Sequence, residues 1–169
     1  MTLASNDPHW QTQVTAVLDS AQVTYQILWQ SHATQSIEQT AAQRGICPSQ
    51  MLKTIVLRDM GGRYAMACVP GDQQVSPPKV RQYLGCRRMT LANAEQVRTV
   101  TGYELGAVAP LATPHSLPVF FDRQIWAYDT VTISSGDRHA GLWVKVEDLI
   151  ALCQPTLADI CRAKSSEAY

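Results

Sequence analysis

The stretch LKTIVLRDMGGRYAMACV, residues 52–69, decides the fold. Two apolar runs, Leu52 to Arg58 and Tyr64 to Val69, flank the sequence Met60-Gly61-Gly62. Glycine tolerates the positive φ that a tight reversal requires, so the pattern predicts an antiparallel hairpin and the start of a sheet. Strand periodicity puts Lys53 on the same face as Ile55 and Leu57, which leaves an ammonium at the edge of an apolar surface. A lysine snorkelling at a strand edge is the structural alternative to a functional one.

Working outward, Asn6 or Asp7 before Pro8 predicts a helix to about Ala21, with Trp10, Val14, Val17, Leu18 and Ala21 as its apolar stripe. Val23 to Trp29 alternates as a half-buried strand. Ser36 with Gln39 has the form of a capping box, and Gly45 ends that short helix. Beyond the hairpin, Ser76 and Pro77 open a helix that Gly85 closes, RRMTL (87–91) forms a short strand, and Asn93 with Gln96 starts a helix to about Thr101. Four strand-like segments follow: LPVFFD (117–122), QIWAYD (124–129), VTISSG (131–136) and GLWVKV (141–146). A helix from Val146 to Leu152 precedes Pro155, Thr156 to Ile160 can add a closing strand, and the tail RAKSSEAY is expected to be disordered. Adjacent strands broken by short helices predict an α/β chain of the α+β type, built on a mixed, largely antiparallel sheet rather than a doubly wound parallel one.

The 169 residues, 46% hydrophobic and 17% charged, suit one domain over 1–169 with its core at about 23–161. The amino terminus has no signal-peptide pattern, and no apolar run approaches the ~18 residues of a membrane helix, so a cytoplasmic protein is expected. The cysteines at 47, 68, 86, 153 and 161 are odd in number and make no Cys-x-x-Cys pair, which reads as reduced structural thiols. Net charge is zero, so no whole-molecule field draws the chain to nucleic acid. Locally, Lys79, Arg81, Arg87, Arg88 and Arg98 are opposed only by Glu95 between positions 79 and 98. That run is either a solvated face or a place where phosphates lie.

The histidines at 9, 32, 115 and 139 have no metal-ligand spacing, and no cofactor is called for. There is no Gly-x-Ser-x-Gly elbow, Walker loop or Rossmann fingerprint. What stands out is GYELGAVAP, residues 102–110. A glycine such as Gly106 lets backbone amides approach a ligand closely, and Lys53 supplies a mobile charge; together they can hold an anionic or carbonyl-bearing substrate.

Taken in order, SHATQSIEQTAAQRGI (31–46), LKTIVL (52–57), RMTLANAEQVRTVTGYELGAVAP (88–110), PVFFD (118–122), TISSG (132–136) and VKVEDLIAL (144–152) resemble the YbaK/prolyl-tRNA-synthetase-associated domains, which hydrolyse wrongly charged aminoacyl-tRNA. The resemblance implies a free-standing editing domain whose curved or barrel-like mixed sheet is surrounded by short helices. It implies that Lys53 and Gly106 are catalytic, with Lys53 at the terminal phosphate or the ester carbonyl and the Gly106 to Pro110 loop donating backbone amides. Tyr25, His32, Ala107, Val108, Pro110, Asp122, Ser134, Ser135 and Gly136 fall at or near substrate-binding positions; Asp122 either orients Lys53 or ends a strand. Lys79, Arg81, Arg87 and Arg88 would meet tRNA phosphates. The partners implied are mischarged tRNA and a synthetase, with no membrane, and the chain a monomer or a homodimer.

This sequence also departs from the family pattern. Ala107 and Ala109 stand where GGVSP-like loops have glycine and serine, which would put a methyl at the pocket wall and remove a hydroxyl. SSGDRHAG replaces a SAGRRG-like segment and leaves Asp137 and His139 without an assigned role. Three functions follow. The first is a trans-acting deacylase using water or a substrate group as nucleophile, on cysteinyl- or alanyl-tRNA for proline. The second is a non-catalytic module binding tRNA or a synthetase, and the third is a hydrolase of another small ester.

Overall fold

The computed structural model describes residues 9–32 and 34–163. Among them are five α-helices, α1 (Gln13–Ser20), α2 (Ile37–Arg44), α3 (Pro77–Leu84), α4 (Ala94–Thr101) and α5 (Val146–Cys153). Eight strands accompany them: β1 (Tyr25–Trp29), β2 (Leu52–Asp59), β3 (Tyr64–Pro70), β4 (Met89–Leu91), β5 (Val119–Asp122), β6 (Thr130–Ser134), β7 (Ala140–Lys145) and β8 (Thr156–Ala158).

The hairpin forms as expected, in antiparallel register from Leu52 opposite Pro70 to Arg58 opposite Tyr64. Gly62 takes a φ of +82° in the turn, and the Asp59 carboxylate accepts from the Arg63 amide and Nε, each at 2.7 Å. Alternation along β2 feeds two cores. Leu52 and Val56 pack with Met66, Cys68 and Phe121, whereas Leu57 packs with Ala65, Ala67, Val69 and Val80 of α3. Burial on both faces is why β3 reads as a nearly continuous apolar run.

Hydrogen bonding orders the strands as β4-β2-β3-β5-β8 in one sheet and β1-β7-β6 in the other. The larger sheet is mixed, because β5 and β8 join it in parallel; the smaller is antiparallel throughout. The sheets do not close into a barrel. One bridge, Met51 to Thr132, links the start of β2 to β6. β4 pairs only with Leu57 to Asp59, and the Ala92 amide after it bonds the Val56 carbonyl, so the Leu52 to Ile55 part of β2 has an edge uncovered by β4. That split positions the site.

Several boundaries differ from expectation. The proposed helix start at Asn6 to Pro8 lies outside the described residues, as do tail residues 164–169. Within the described chain, Thr12 caps α1, accepting from the Thr15 amide at 3.2 Å while Thr15 returns the bond at 2.9 Å. β1 begins at Tyr25 rather than Val23, because Gln22 turns the chain at φ +56° and the Val23 amide still bonds Leu18. Ser36 caps α2, but Gln39 reaches the Gln35 amide at 2.9 Å instead of closing a box on Ser36. Asn93 and Gln96 do form the reciprocal box. QIWAYD is not a strand. The Asp122 carboxylate accepts from the Gln124 amide at 2.9 Å and winds Arg123–Ala127 into a 3-10 turn, a local bond that outcompetes pairing. No helix among the described residues is long and apolar enough to cross a membrane.

Candidate active site

A cleft of about 620 Å³ opens at the split between the sheets. Its volume falls in the range of about 300–1,000 Å³ usual for small-ligand sites. Lys53, Thr54 and Val56 of β2 line the cleft, together with Thr132 and Ser134 of β6 and with Gly106 and Val108 of the loop after α4. The sequence elements carrying Lys53 and Gly106 therefore meet in space.

The Lys53 ammonium donates to the Gly71 carbonyl at 3.3 Å. Burial pushes its pKa below the ordinary lysine value, and acidic neighbours including Asp72 and Glu38 pull back without cancelling the shift. Gly71 has no room for a side chain: a Cβ would lie 2.5 Å from the Pro48 carbonyl and 2.9 Å from Ile37 Cγ2. The lysine is thus tethered to a backbone segment packed hard against its neighbours.

The loop after α4 is held from beneath. The buried Tyr103 hydroxyl donates to the Leu111 carbonyl at 2.7 Å, and Ser134 Oγ donates to the Ala107 carbonyl at 2.7 Å. Gly106 takes a φ of +88°, and a Cβ there would meet nothing within 4 Å, because it would point into open space. This is a rigid loop with one bare residue facing the cleft.

The expected site residues divide by position. Lys53, Gly106, Val108 and Ser134 line the cleft. Ala107, Ala109 and Pro110 are buried behind the loop and are not among the lining residues, so the Ala107 methyl does not stand at the pocket wall. Ser135 is buried, donates to the Ala140 carbonyl at 2.6 Å and receives the Asp137 amide, which shapes the β6–β7 turn. Gly136, at φ +89°, packs against the Tyr103 ring. Tyr25, His32 and Asp122 lie away from the cleft. Tyr25 donates to Asp19 at 3.0 Å, with its pKa raised by burial and by that carboxylate. His32 is exposed, its amide bonded to Gln43.

Asp122 does not touch Lys53. It accepts from the Ile160 and Cys161 amides at 2.9 and 3.1 Å, fastening the segment after β8 to β5. Burial alone raises its pKa, but the amide bonds of Gln124, Ile160 and Cys161 outweigh it, and the net shift is downward. In the basic patch, Lys79 pairs with Asp159 at 3.4 Å, Arg81 donates to the Arg87 carbonyl, and Arg87 and Arg88 are exposed.

The cleft holds further polar residues whose role the sequence did not reveal: Gln30, Thr34, Thr40, Arg44, Thr132, Asp137, Arg138 and His139. His139 Nδ1 lies 3.0 Å from Asp137, whose carboxyl is lowered chiefly by the His139 amide. Arg44 has only one sequence signal, a basic residue in the last turn of a helix, and that is ordinarily read as a dipole partner.

The profile of the aminoacyl-tRNA editing domain matches residues 31–152. This chain belongs to that family. Proline--tRNA ligase of Bacillus licheniformis is 32% identical over 90 residues, 53% of this chain and 16% of the ligase, so the chain spans about a sixth of that relative's length. A protein of Enterococcus faecalis named as a candidate Cys-tRNA(Pro)/Cys-tRNA(Cys) deacylase is 23% identical over 136 residues, covering 80% of this chain and 82% of the relative. The fold matches a crystal structure described as a candidate trans-editing enzyme for prolyl-tRNA synthetase, with a TM-score of 0.80 at 22% identity, over 89% of this chain and 96% of the other.

Proposed function

We infer that this editing-family chain acts as one unit, hydrolysing the ester of mischarged aminoacyl-tRNA in trans, with cysteinyl- or alanyl-tRNA for proline as the substrate class. The observation that carries the inference is the meeting of the Lys53 ammonium and the bare Gly106 loop in one cleft. Ser134, the cleft serine nearest the loop, donates its hydroxyl to a loop carbonyl and is not held by a base. Attack therefore falls to water or to the neighbouring ribose hydroxyl.

With water, the oxygen adds to the ester carbonyl carbon and the carbonyl oxygen becomes an oxyanion. The tetrahedral species then expels the ribose oxygen, which takes up the proton that water gives up. The products are free amino acid and uncharged tRNA. The ammonium stabilises the oxyanion together with loop amides other than that of Ala107, which already donates to the Glu104 carbonyl at 2.9 Å; each such donor supplies about 2.7–4 kcal/mol where water is excluded. A second hydrolytic sieve is needed because one methylene changes binding by only ~1–3 kcal/mol, too little for a synthetase to reject small side chains in a single step.

The basic patch suits the tRNA. Arg87 and Arg88 lie just before β4, whose Leu91 is on the cleft rim. Three residues of strand separate Arg88 from that rim, a span of about 10 Å at ~3.3 Å each. The alternative of a non-catalytic module drew its support from Ala107 and Ala109, and both are buried away from the cleft.

The deciding experiment is single-turnover release of labelled amino acid from cysteinyl-, alanyl-, seryl- and prolyl-tRNA for proline. Selective release of a wrong amino acid, lost in Lys53→Ala, is the expected result. Absence of release from all four, with tRNA still bound, would favour the binding module.

A further inference from the structure

Arg44 is the cleft residue whose chemistry is least explained by packing. It ends α2, immediately before Gly45 at φ +70°, and its guanidinium lies against the backbone of β7. The fit depends on a missing side chain: a Cβ on Gly141 would come within 2.9 Å of Arg44 Cζ. One terminal nitrogen donates to Gln30 Oε1 at 2.5 Å, and Gln30 is held in turn by Thr34 at 3.1 Å. Nε is buried and donates to nothing among the described residues, and no carboxylate among them pairs with the group. Burial pushes the guanidinium pKa down to about 10, the sign of a cation held without a counter-ion.

The other charges of the cleft sharpen the question. Arg44, Lys53 and Arg138 line it together with a single lining carboxylate, Asp137, already engaged by His139; Asp72 and Glu38 act on Lys53 from outside the lining, whereas no acidic neighbour opposes the desolvation of Arg44. Arg138 is spent on the Leu105 carbonyl at 3.0 Å. An aminoacyl ester contributes no negative charge, and its amino group is cationic when protonated, so the ester cannot be what this positive excess awaits. The anionic part of the substrate is its phosphodiester backbone. A planar guanidinium is suited to grip two phosphate oxygens side by side, whereas an ammonium acts as a point charge; with Nε enclosed, the terminal nitrogens are the ones that would do so here.

We propose that Arg44, seated on Gly141 and steadied by Gln30, binds the phosphodiester immediately 5′ of the terminal adenosine and leaves Lys53 to the ester carbonyl. This rests on the deacylase reading for the identity of the substrate, but the phosphate contact is measurable without hydrolysis.

The probe is the dinucleotide CpA, compared by calorimetric or NMR titration with its uncharged methylphosphonate analogue, which keeps both nucleosides and removes the charge. The parent is expected to bind CpA ~10–100-fold more tightly than the analogue, the range for a charge-assisted hydrogen bond. Arg44→Met should abolish the preference. Gly141→Ala should weaken it while keeping the positive charge, because the new methyl displaces the flexible guanidinium. Lys53→Met should retain it. Thermal melts of all variants establish that each is folded.

Equal affinity of the parent for the two ligands, binding of neither, or a preference that survives in Arg44→Met would overturn the proposal; transfer of the loss to Lys53→Met would assign the phosphate to the lysine instead. Deacylation of aminoacyl-tRNA is scored separately. An inactive parent with an Arg44-dependent preference would sink the hydrolase reading alone, and an active parent without that preference would sink the phosphate site alone.

Discussion

Substituting Gly106 by alanine separates backbone strain from chemistry. At φ +88° an L-residue is strained by ~1–2 kcal/mol, and no neighbour within 4 Å of the new Cβ adds a clash. For a domain of this size that strain lowers the melting temperature by about 2–8 °C. The effect on rate should be far larger. Relief of the strain rotates the loop peptides, and misaiming one amide donor costs about 2.7–4 kcal/mol of transition-state stabilisation, or ~100–1,000-fold in rate. Gly62 supplies the control, since its φ is +82° and its Cβ position is equally open, but it sits on the hairpin turn outside the cleft. Gly62→Ala should show the same loss of melting temperature with full activity. The assay is single-turnover deacylation beside thermal denaturation for both variants. Parental rates in Gly106→Ala, with its melting temperature lowered like that of Gly62→Ala, would refute a role for the loop amides.

Lys53→Met should lower the deacylation rate by ~100-fold or more while leaving the melting temperature within a few degrees, since the lost bond to Gly71 is offset by relief of a desolvated charge; an unchanged rate would remove the lysine from the mechanism. Gly71→Ala should destabilise markedly, because the clash at Pro48 is with backbone that cannot step aside, and urea denaturation would register it as a lower midpoint. Asp122→Asn should cost ~1–3 kcal/mol of stability at neutral pH without changing the chemical step. The Asp122 pKa is lower folded than unfolded, so its contribution is complete above the unfolded value of about 4 and disappears as pH falls through the folded value. Urea titrations of parent and variant should therefore converge in acid, and a gap unchanged at low pH would contradict this account of Asp122.

Local signals determined much of this protein. The Gly61-Gly62 turn between two apolar runs specified the hairpin, and Gly45, Gly85 and Gly102 ended helices where left-handed caps are found, because these conformations depend on residues close in sequence. The resemblance to editing domains selected Lys53 and Gly106, and the fold brings both to the cleft. Only the tertiary structure decided the rest. QIWAYD alternates like a strand, yet one Asp122 hydrogen bond winds it into a turn. Asp122 itself serves amides 38 and 39 positions away. Ala107 has its methyl away from the cleft because Ser134, 27 residues on, holds the Ala107 carbonyl. Nothing in the sequence singles out Arg44; the bare backbone of Gly141, 97 residues on, supplies the space that its guanidinium occupies. Turns and caps are short-range and legible in order along the chain, whereas burial, desolvation and the partners of a charge are set by segments that meet only after folding.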